Sequence, residues 1–482
     1  MAATKTTKKS ARFIDAILSF VAKHNHWLLV IGLLVIFVMY AFIHHQRHIT
    51  FYTMGWDLAV FDQPVYLLSQ GKLPFSSLHN THTFGDHYHP LMLGLGAVLY
   101  NIWADPRMLL WLETAIAVSS GGMLFLLCRR ISLSALNSLF LSFMYLFSVG
   151  FQAMLLDDFH DDVLVTLPLI SLFYFLKQKN WWGYWVSVVG VLLIKEEFGL
   201  LVAAIGILII LKHKLFCIGI MTMIAGITTF FLLLEIVMPR FATGTYWQYA
   251  YRHYSDTNRP SVVIKTFVRD PYKLITTLVN HPQKQKTLLT GALSFGFLPL
   301  AAPIFIVPIG ETLLIRFIDA TAPLRFTFNN HYNGPYIALL AIASAYGARK
   351  IKFKLLPIYI IAATALQHLL FHGPLSSLFK SQFYQLPSWQ PLAQQLVSKV
   401  PSSGSLTTQN FLLPHLSQRE SFYLLPDIEN ADYIAALLIN HPTDFYGPSL
   451  PKLQSLLYEA TISGKYRLYW QQNQAIILQR NP

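Results

Sequence analysis

The chain has 482 residues, of which 54% are hydrophobic and only 12% charged. Soluble domains carry about 25% charged residues, so this composition excludes an ordinary soluble globular protein and indicates a chain that crosses a membrane several times. The net charge of +13 fits lysine- and arginine-rich cytoplasmic loops and attraction to membrane lipids of acidic headgroup; no basic-aromatic stripe of the kind that holds single strands is present, so nucleic acid is not an expected partner.

Lys5, Lys8, Lys9 and Arg12 precede a nearly charge-free run at 26–43, long enough to cross about 30 Å of hydrocarbon. No small-x-small cleavage site follows, so the run reads as an uncleaved anchor with the basic segment 1–26 in the cytoplasm. The next strong basic mark, Arg129-Arg130, stands behind the apolar run 107–128 and brings the chain back, which leaves 46–106 as one large outer loop. Within that loop the run 90–103 is too short for a comfortable span and reads as an interfacial or re-entrant helix. Further spans are expected at 133–151, 162–177 and 215–238, with two short helices meeting at Lys195-Glu196-Glu197 between them. A long polar outer loop at 239–286, a proline-marked hairpin at 287–318, and spans at 333–348 and 355–371 complete a transmembrane domain over 27–372. The expected fold class is an all-α polytopic plasma-membrane protein of about eleven transmembrane helices, counted from basic marks, with its C-terminus outside the cell. Cys128 and Cys217 fall at cytoplasmic ends, where neither a disulfide nor a thiol metal site is expected.

Residues 373–482 have a different texture. Short alternating runs at 405–408, 421–425, 433–438, 466–470 and 475–478 read as strands, and 389–400 and 450–463 as helices. A small extracytoplasmic α/β domain is expected, with a hairpin turn at 471–474.

A chain with only 23 Asp and Glu places three acidic groups just outside apolar runs, all on the same predicted face. Carboxylates near hydrocarbon are costly and mark function more often than chance. The first group, Gly55-Trp56-Asp57-Leu58-Ala59-Val60-Phe61-Asp62-Gln63, holds two acids about 140° apart around a helix. One of them would face a cavity and the other would cap or pair. Asp57 is a candidate general base and equally a candidate helix cap. His79, His82, Asp86, His87 and His89 form a dense cluster suited to phosphate or a divalent metal, although the spacing matches no fixed zinc pattern. Asp157-Asp158-Phe159-His160-Asp161-Asp162 packs four carboxylates that repel unless a cation sits among them; alone it reads as a solvated acidic turn. In the third group, Lys195 with Glu196 reads either as a phosphate contact or as an ion pair at a helix break. Arg252, Arg259, Arg325, His331 and Tyr332 are further substrate-side candidates in outer loops.

Several of these motifs carry a resemblance. Trp56-Asp57 through Gln63, Ser69-Gln70-Gly71, Gly85-Asp86-His87-Tyr88-His89-Pro90, Phe159-His160-Asp161, Lys195-Glu196-Glu197 and His331-Tyr332 resemble, in order and spacing, a family of bacterial and archaeal membrane proteins known only as a domain of unknown function. The segment from Asn410 to His415 resembles its extracytoplasmic tail. That family is in turn similar to the GT-C class of membrane glycosyltransferases, in which the first outer loop carries an essential acid soon after the first span. Many members have a second acid directly after it; here Leu58 stands in that place. The resemblance implies an inverting transfer from a polyprenyl-phosphate sugar donor with Asp57 as base. Asp62, Asp86, His87, His89, Asp158, His160, Asp161, Lys195, Glu196, Arg252, Arg259, Arg325, His331 and Tyr332 would bind substrate. Asp57, Asp158, His160 and Asp161 are the candidates to hold a divalent cation, Mg or Mn. A transporter of lipid-linked glycans and a non-catalytic envelope-assembly subunit are the rival expectations. Clustering of charge at one face and the lack of an internal repeat weigh against transport.

Overall fold

A computed structural model describes residues 19–243, 260–318, 323–429 and 431–482. Helix α1 (Asn25–Ile49) has 25 residues and no carboxylate, and at 1.5 Å per residue it rises about 37 Å. A π-helical turn, Gly55–Ala59, leads into α2 (Val60–Ser69). The antiparallel pair β1 (Phe75–Ser76) and β2 (Thr81–His82), the single turn α3 (Thr83–Asp86) and α4 (Pro90–Tyr100) complete the first loop region. Proline opens α4 where its missing N–H costs nothing.

Helix α5 (Arg107–Arg130) is followed by α6 (Ala135–Leu146) and α7 (Val149–Leu155), which meet at 48°. One span was expected there. The break has a local cause: the Ser148 hydroxyl accepts the Phe151 N–H at 3.2 Å and starts a new helix. Then come α8 (Asp161–Leu164), α9 (Thr166–Gln178), α10 (Trp181–Leu192), α11 (Phe198–Leu208), α12 (Phe216–Leu232) and α13 (Met238–Phe241). Helices α11 and α12 form a tight hairpin, because a Cβ on Gly226 would lie 2.3 Å from the Gly199 carbonyl oxygen. Where a polar loop was expected beyond residue 239, the described residues are mostly helical: α14 (Pro260–Arg269), α15 (Pro271–Val279) and α16 (Pro282–Ser294), each opening on proline. Then follow α17 (Ile306–Phe317), α18 (Asn333–Lys350) and α19 (Leu356–Phe371). Helix α18 is the spine of the bundle, buried from Asn333 to Ala348 and rich in alanine, so that neighbours approach it closely on all sides.

Among the described residues three helices are long and apolar enough to cross a membrane, Asn25–Ile49, Arg107–Arg130 and Phe216–Phe241, or four if the bent pair counts as one. The expected eleven spans are therefore not reproduced. The run 133–151, read as one span, is cut at Ser148, while the breaks at the Lys195-Glu196-Glu197 turn and at the prolines near 300 fall where they were expected.

The C-terminal part forms a five-stranded mixed sheet flanked by α20 (Gln390–Lys399) and α21 (Leu450–Ile462). Its strands are β3 (Leu406–Thr408), β4 (Phe422–Leu424), β5 (Tyr433–Leu437), β6 (Tyr466–Gln472) and β7 (Ala475–Arg480), in the order β4-β3-β5-β7-β6. β3 runs parallel to β4 and β5, with Leu406 level with Phe422 and Tyr433; β7 is antiparallel to β5 and β6. These strands and helices lie within two or so residues of the sequence expectation. Phe51, just past α1, is buried in the same apolar cluster as Leu396, Leu406, Phe411 and Leu412, so the sheet domain packs on the C-terminal end of the first helix.

Candidate active site

Asp57 lies in the π-helical turn, whose N-cap is Met54, so the capping role open to Asp57 in the sequence is not the one it takes. The turn is held by the C-terminal domain. The Gly55 N–H donates to the Asn410 carbonyl at 2.9 Å, and the Trp56 N–H to Asn410 Oδ1 at 3.2 Å. Asn410 is itself fixed by donating to the Thr443 carbonyl at 2.8 Å and to Asp444 Oδ1 at 3.0 Å. Asp62 turns away from Asp57 and is fully buried. It accepts hydrogen bonds from the Tyr100 hydroxyl at 2.5 Å, the Ser417 hydroxyl at 2.5 Å and Gln418 Nε2 at 3.2 Å. Burial pushes its carboxyl up to about 6 against those three donors. Expected as a substrate contact, Asp62 instead anchors the tail.

A cavity of about 270 Å³ opens beside Asp57. Asp86, His87, His89, His160, Asp161, Lys195, His331 and Tyr332 line it with Asp57, drawn from chain segments far apart in sequence. Trp56, His79 and Tyr446 also line it. Tyr446 belongs to a C-terminal loop that carries no motif, and nothing in the sequence singles it out.

The cavity floor is a stack of two imidazoles. The rings of His160 and His331 lie 3.4 Å apart with planes 8° from parallel. His160 Nε2 is 3.3 Å from Asp57 Oδ1. His331 Nδ1 is 2.9 Å from Asp157 Oδ2, the oxygen that also accepts the His331 N–H at 2.9 Å. Gly334 permits this approach, since a Cβ there would stand 2.3 Å from the Asp162 carbonyl oxygen. Burial opposes charge on both rings. At His160 the Asp57 carboxylate outweighs burial and raises the pKa; at His331 burial and the neighbouring His160 charge hold it well below the ordinary range. Of the two rings, the one that faces Asp57 therefore takes a proton more readily.

Each remaining group is paired. His89 Nδ1 is 2.9 Å from Asp161 Oδ2, and Lys195 Nζ is 2.9 Å from Asp162 Oδ2 and 3.9 Å from Asp161 Oδ1. Burial raises the Asp161 carboxyl, but Lys195 and His89 together carry it far below the usual range. Glu196 sits behind His87, taking its Nδ1 at 2.8 Å and the Tyr88 N–H at 3.0 Å, and so supports the wall without lining it. Burial lowers His87, yet Glu196 and Asp86 push it up to about 10. His89 Nε2 has no hydrogen-bond partner among the described residues.

Asp158 corrects an expectation. It is fully buried, 2.9 Å from Arg47 at the end of α1, and accepts the Met54 N–H at 2.8 Å. It braces the Asp57 loop from behind and does not line the cavity. Asp157, left out of the candidate set, takes the place beside the imidazoles. Glu113 of α5, also missed, is buried and accepts the His160 N–H at 3.3 Å. Arg325 faces an adjoining small cleft with Glu197 and Glu311, its guanidinium 4.8 Å over the Tyr332 ring. Arg252 and Arg259 lie outside the described residues.

The expected cation ligands Asp57, Asp158, His160 and Asp161 do not converge. Asp157, His160 and His331 do offer ligand atoms within 4.8 Å of one another. Their geometry nevertheless suits an ion poorly. A metal sits about 2.1 Å from each nitrogen and near the plane of each ring, and two parallel rings 3.4 Å apart have no such common point. The arrangement fits a hydrogen-bonded acid–imidazole array.

Of solved structures, ArnT from Cupriavidus metallidurans bound to undecaprenyl phosphate is similar over 94% of this chain and 97% of its own, with a TM-score of 0.58 at 11% identity. The apo form of the same protein aligns over 93% and 98%, at 12% identity and a TM-score of 0.42. The first likeness shows the fold, the GT-C architecture anticipated from the motifs. No curated protein matches. The family described as "Predicted membrane protein (DUF2079)" matches residues 47–477, and the chain belongs to that family.

Proposed function

We propose that the protein is an inverting membrane glycosyltransferase that moves a sugar from a polyprenyl-phosphate donor to an acceptor hydroxyl outside the cytoplasm. The observation that carries this reading is Asp57, part-exposed on the wall of a cavity whose other groups come from distant segments, within a fold shared with a protein solved with undecaprenyl phosphate. Asp57 takes the proton of the acceptor hydroxyl as its oxygen attacks the anomeric carbon. The bond from that carbon to the phosphate oxygen breaks, and its electron pair leaves with the polyprenyl phosphate. His160 orients Asp57, while His87 and Lys195 supply positive charge to the departing phosphate. No step runs through a metal.

Asp57→Asn keeps the shape and removes the base. With a labelled polyprenyl-phosphate sugar, product formation falls roughly 10²–10⁴-fold, the usual worth of general-base catalysis, while donor binding stays within about threefold. Full turnover by this variant would overturn the assignment. Equal loss of binding and turnover would point instead to a carrier site.

A further inference from the structure

The end of the bundle remote from the cavity carries a second, oppositely charged cluster. Helix α9 starts beside Asp161 and Asp162 and ends at Lys177; α11 starts after Lys195-Glu196-Glu197 and runs on to Lys212; α18 starts after His331-Tyr332 and ends at Arg349-Lys350. At 18 residues α18 separates the two ends by about 27 Å. The basic ends converge. Lys212 is repelled by Lys350, Lys177 and Arg349, and Lys177 by Arg349 and Arg130. None of Lys177, Lys212, Arg349 and Lys350 is ion-paired to a carboxylate among the described residues. Lys212 Nζ rests on two aromatic faces, 3.4 Å from the Tyr346 ring centre and 4.3 Å from that of Phe305.

A second observation is independent of charge. Tyr346 is 5% exposed, and its hydroxyl has no hydrogen-bond partner among the described residues. Arg349 lies one turn further along the same helix and close enough to act on that hydroxyl electrostatically. A buried donor without an acceptor is costly, and converging basic groups without a counter-charge repel one another when protonated. One ligand removes both costs if it brings anionic oxygens that accept from Tyr346 while meeting Lys212 and Arg349.

We infer that Lys177, Lys212, Arg349, Lys350 and the Tyr346 hydroxyl form a site for the phosphodiester headgroup of an anionic membrane lipid, at the opposite membrane surface from the Asp57 cavity. Positive residues at helix ends attract acidic lipid in a diffuse way in any membrane protein. The buried hydroxyl distinguishes a built site from that background, because losing it changes no charge.

The test uses the full-length protein in detergent, titrated with short-chain phosphatidylglycerol, with phosphatidylcholine and with inorganic phosphate, bound lipid being counted by native mass spectrometry. The wild type is expected to retain one phosphatidylglycerol at least about tenfold more tightly than phosphatidylcholine. Lys212→Gln should weaken retention about tenfold or more, and Tyr346→Phe roughly three- to tenfold, the scale of one buried hydrogen bond. Lys452→Gln, on an exposed residue of α21, removes the same charge and should leave retention unchanged. Equal retention of the two lipids would overturn the site, as would displacement of phosphatidylglycerol by millimolar phosphate. Wild-type retention in Tyr346→Phe would reduce the cluster to diffuse attraction. If Lys212→Gln fails to fold, Tyr346→Phe and the wild-type titration still decide the matter.

Discussion

The acids in and behind the cavity wall differ in the base that each one meets. In the run Asp157-Asp158-Phe159-His160-Asp161-Asp162 the four carboxylates look alike in sequence, yet each meets a different base: His331, Arg47, His89 and Lys195 respectively. All four partners lie far from the run in the chain, which is why Asp158 could be mistaken for a substrate contact and Asp157 overlooked. His87 shows how such pairing ties the site to pH. Its pKa is about 10 against an ordinary 6.5 because Glu196 and Asp86 overcome burial. A raised pKa means that protonation favours the folded state. The stabilisation is full below about 6.5 and is lost as pH climbs through about 10. Hydrogen-exchange protection of residues 83–89, corrected for intrinsic rates, should therefore fall between pH 7 and 10 in the wild type. In His87→Gln it should start lower and lose that extra decline. A wild-type profile as flat as that of the variant would remove His87 from the bracing of this wall.

Among the elements, α18 and the C-terminal domain both position the site. The extent of α18 was legible to within two residues, because a charge-free run between Tyr332 and Arg349 leaves little choice. What it touches was not legible. The contact that seats it is a glycine against a carbonyl 172 positions away in the chain, Gly334 on Asp162. The tail is a similar case. Its strands follow from alternation, but the hydrogen bond from Trp56 to Asn410 spans 354 positions, and a propensity pattern has no way to register such a partner. Gly334→Ala would place a methyl 2.3 Å from backbone that cannot swing aside. The start of α18 must then retreat, at a cost of about 1–3 kcal/mol for overpacking, and draw His331 off His160. Turnover should drop tenfold or more in the sense of lost preorganisation, together with a lower thermal midpoint. Gly310→Ala, in α17 with nothing within 4 Å of the added carbon, serves as the control and should be neutral or slightly stabilising, by about 0.5–1 kcal/mol. Unchanged turnover in Gly334→Ala would mean that the imidazole stack is dispensable.

On the scale of the whole molecule the composition declared a membrane protein, and the family match bears that out. The number of crossings was not legible, because hydropathy registers where apolar runs lie and not where a serine cap divides them or how many of the short helices cross. The arrangement of charge is firmer than the count. Helices α9 and α18, and the stretch Phe198–His213 that continues α11, each begin near the carboxylate cavity and carry lysine or arginine in the last turn, so acid and base are sorted to opposite ends whatever the number of spans. If the basic ends follow the positive-inside rule, Lys352 lies in the cytoplasm, and Lys452 of the sheet domain that holds Asp57 lies outside. Cys128 is buried, and with Cys217→Ser no exposed thiol remains among the described residues. In that background Lys452→Cys should react with a membrane-impermeant maleimide on intact spheroplasts, and Lys352→Cys only after permeabilisation. Both residues are exposed, so a negative result reports sidedness and not burial. If both cysteines react from outside, the carboxylate cavity and the basic cluster share a face. The cavity would then have no fixed relation to an outward-facing lipid donor, and the transferase reading would lose its geometric basis even if Asp57 proved essential.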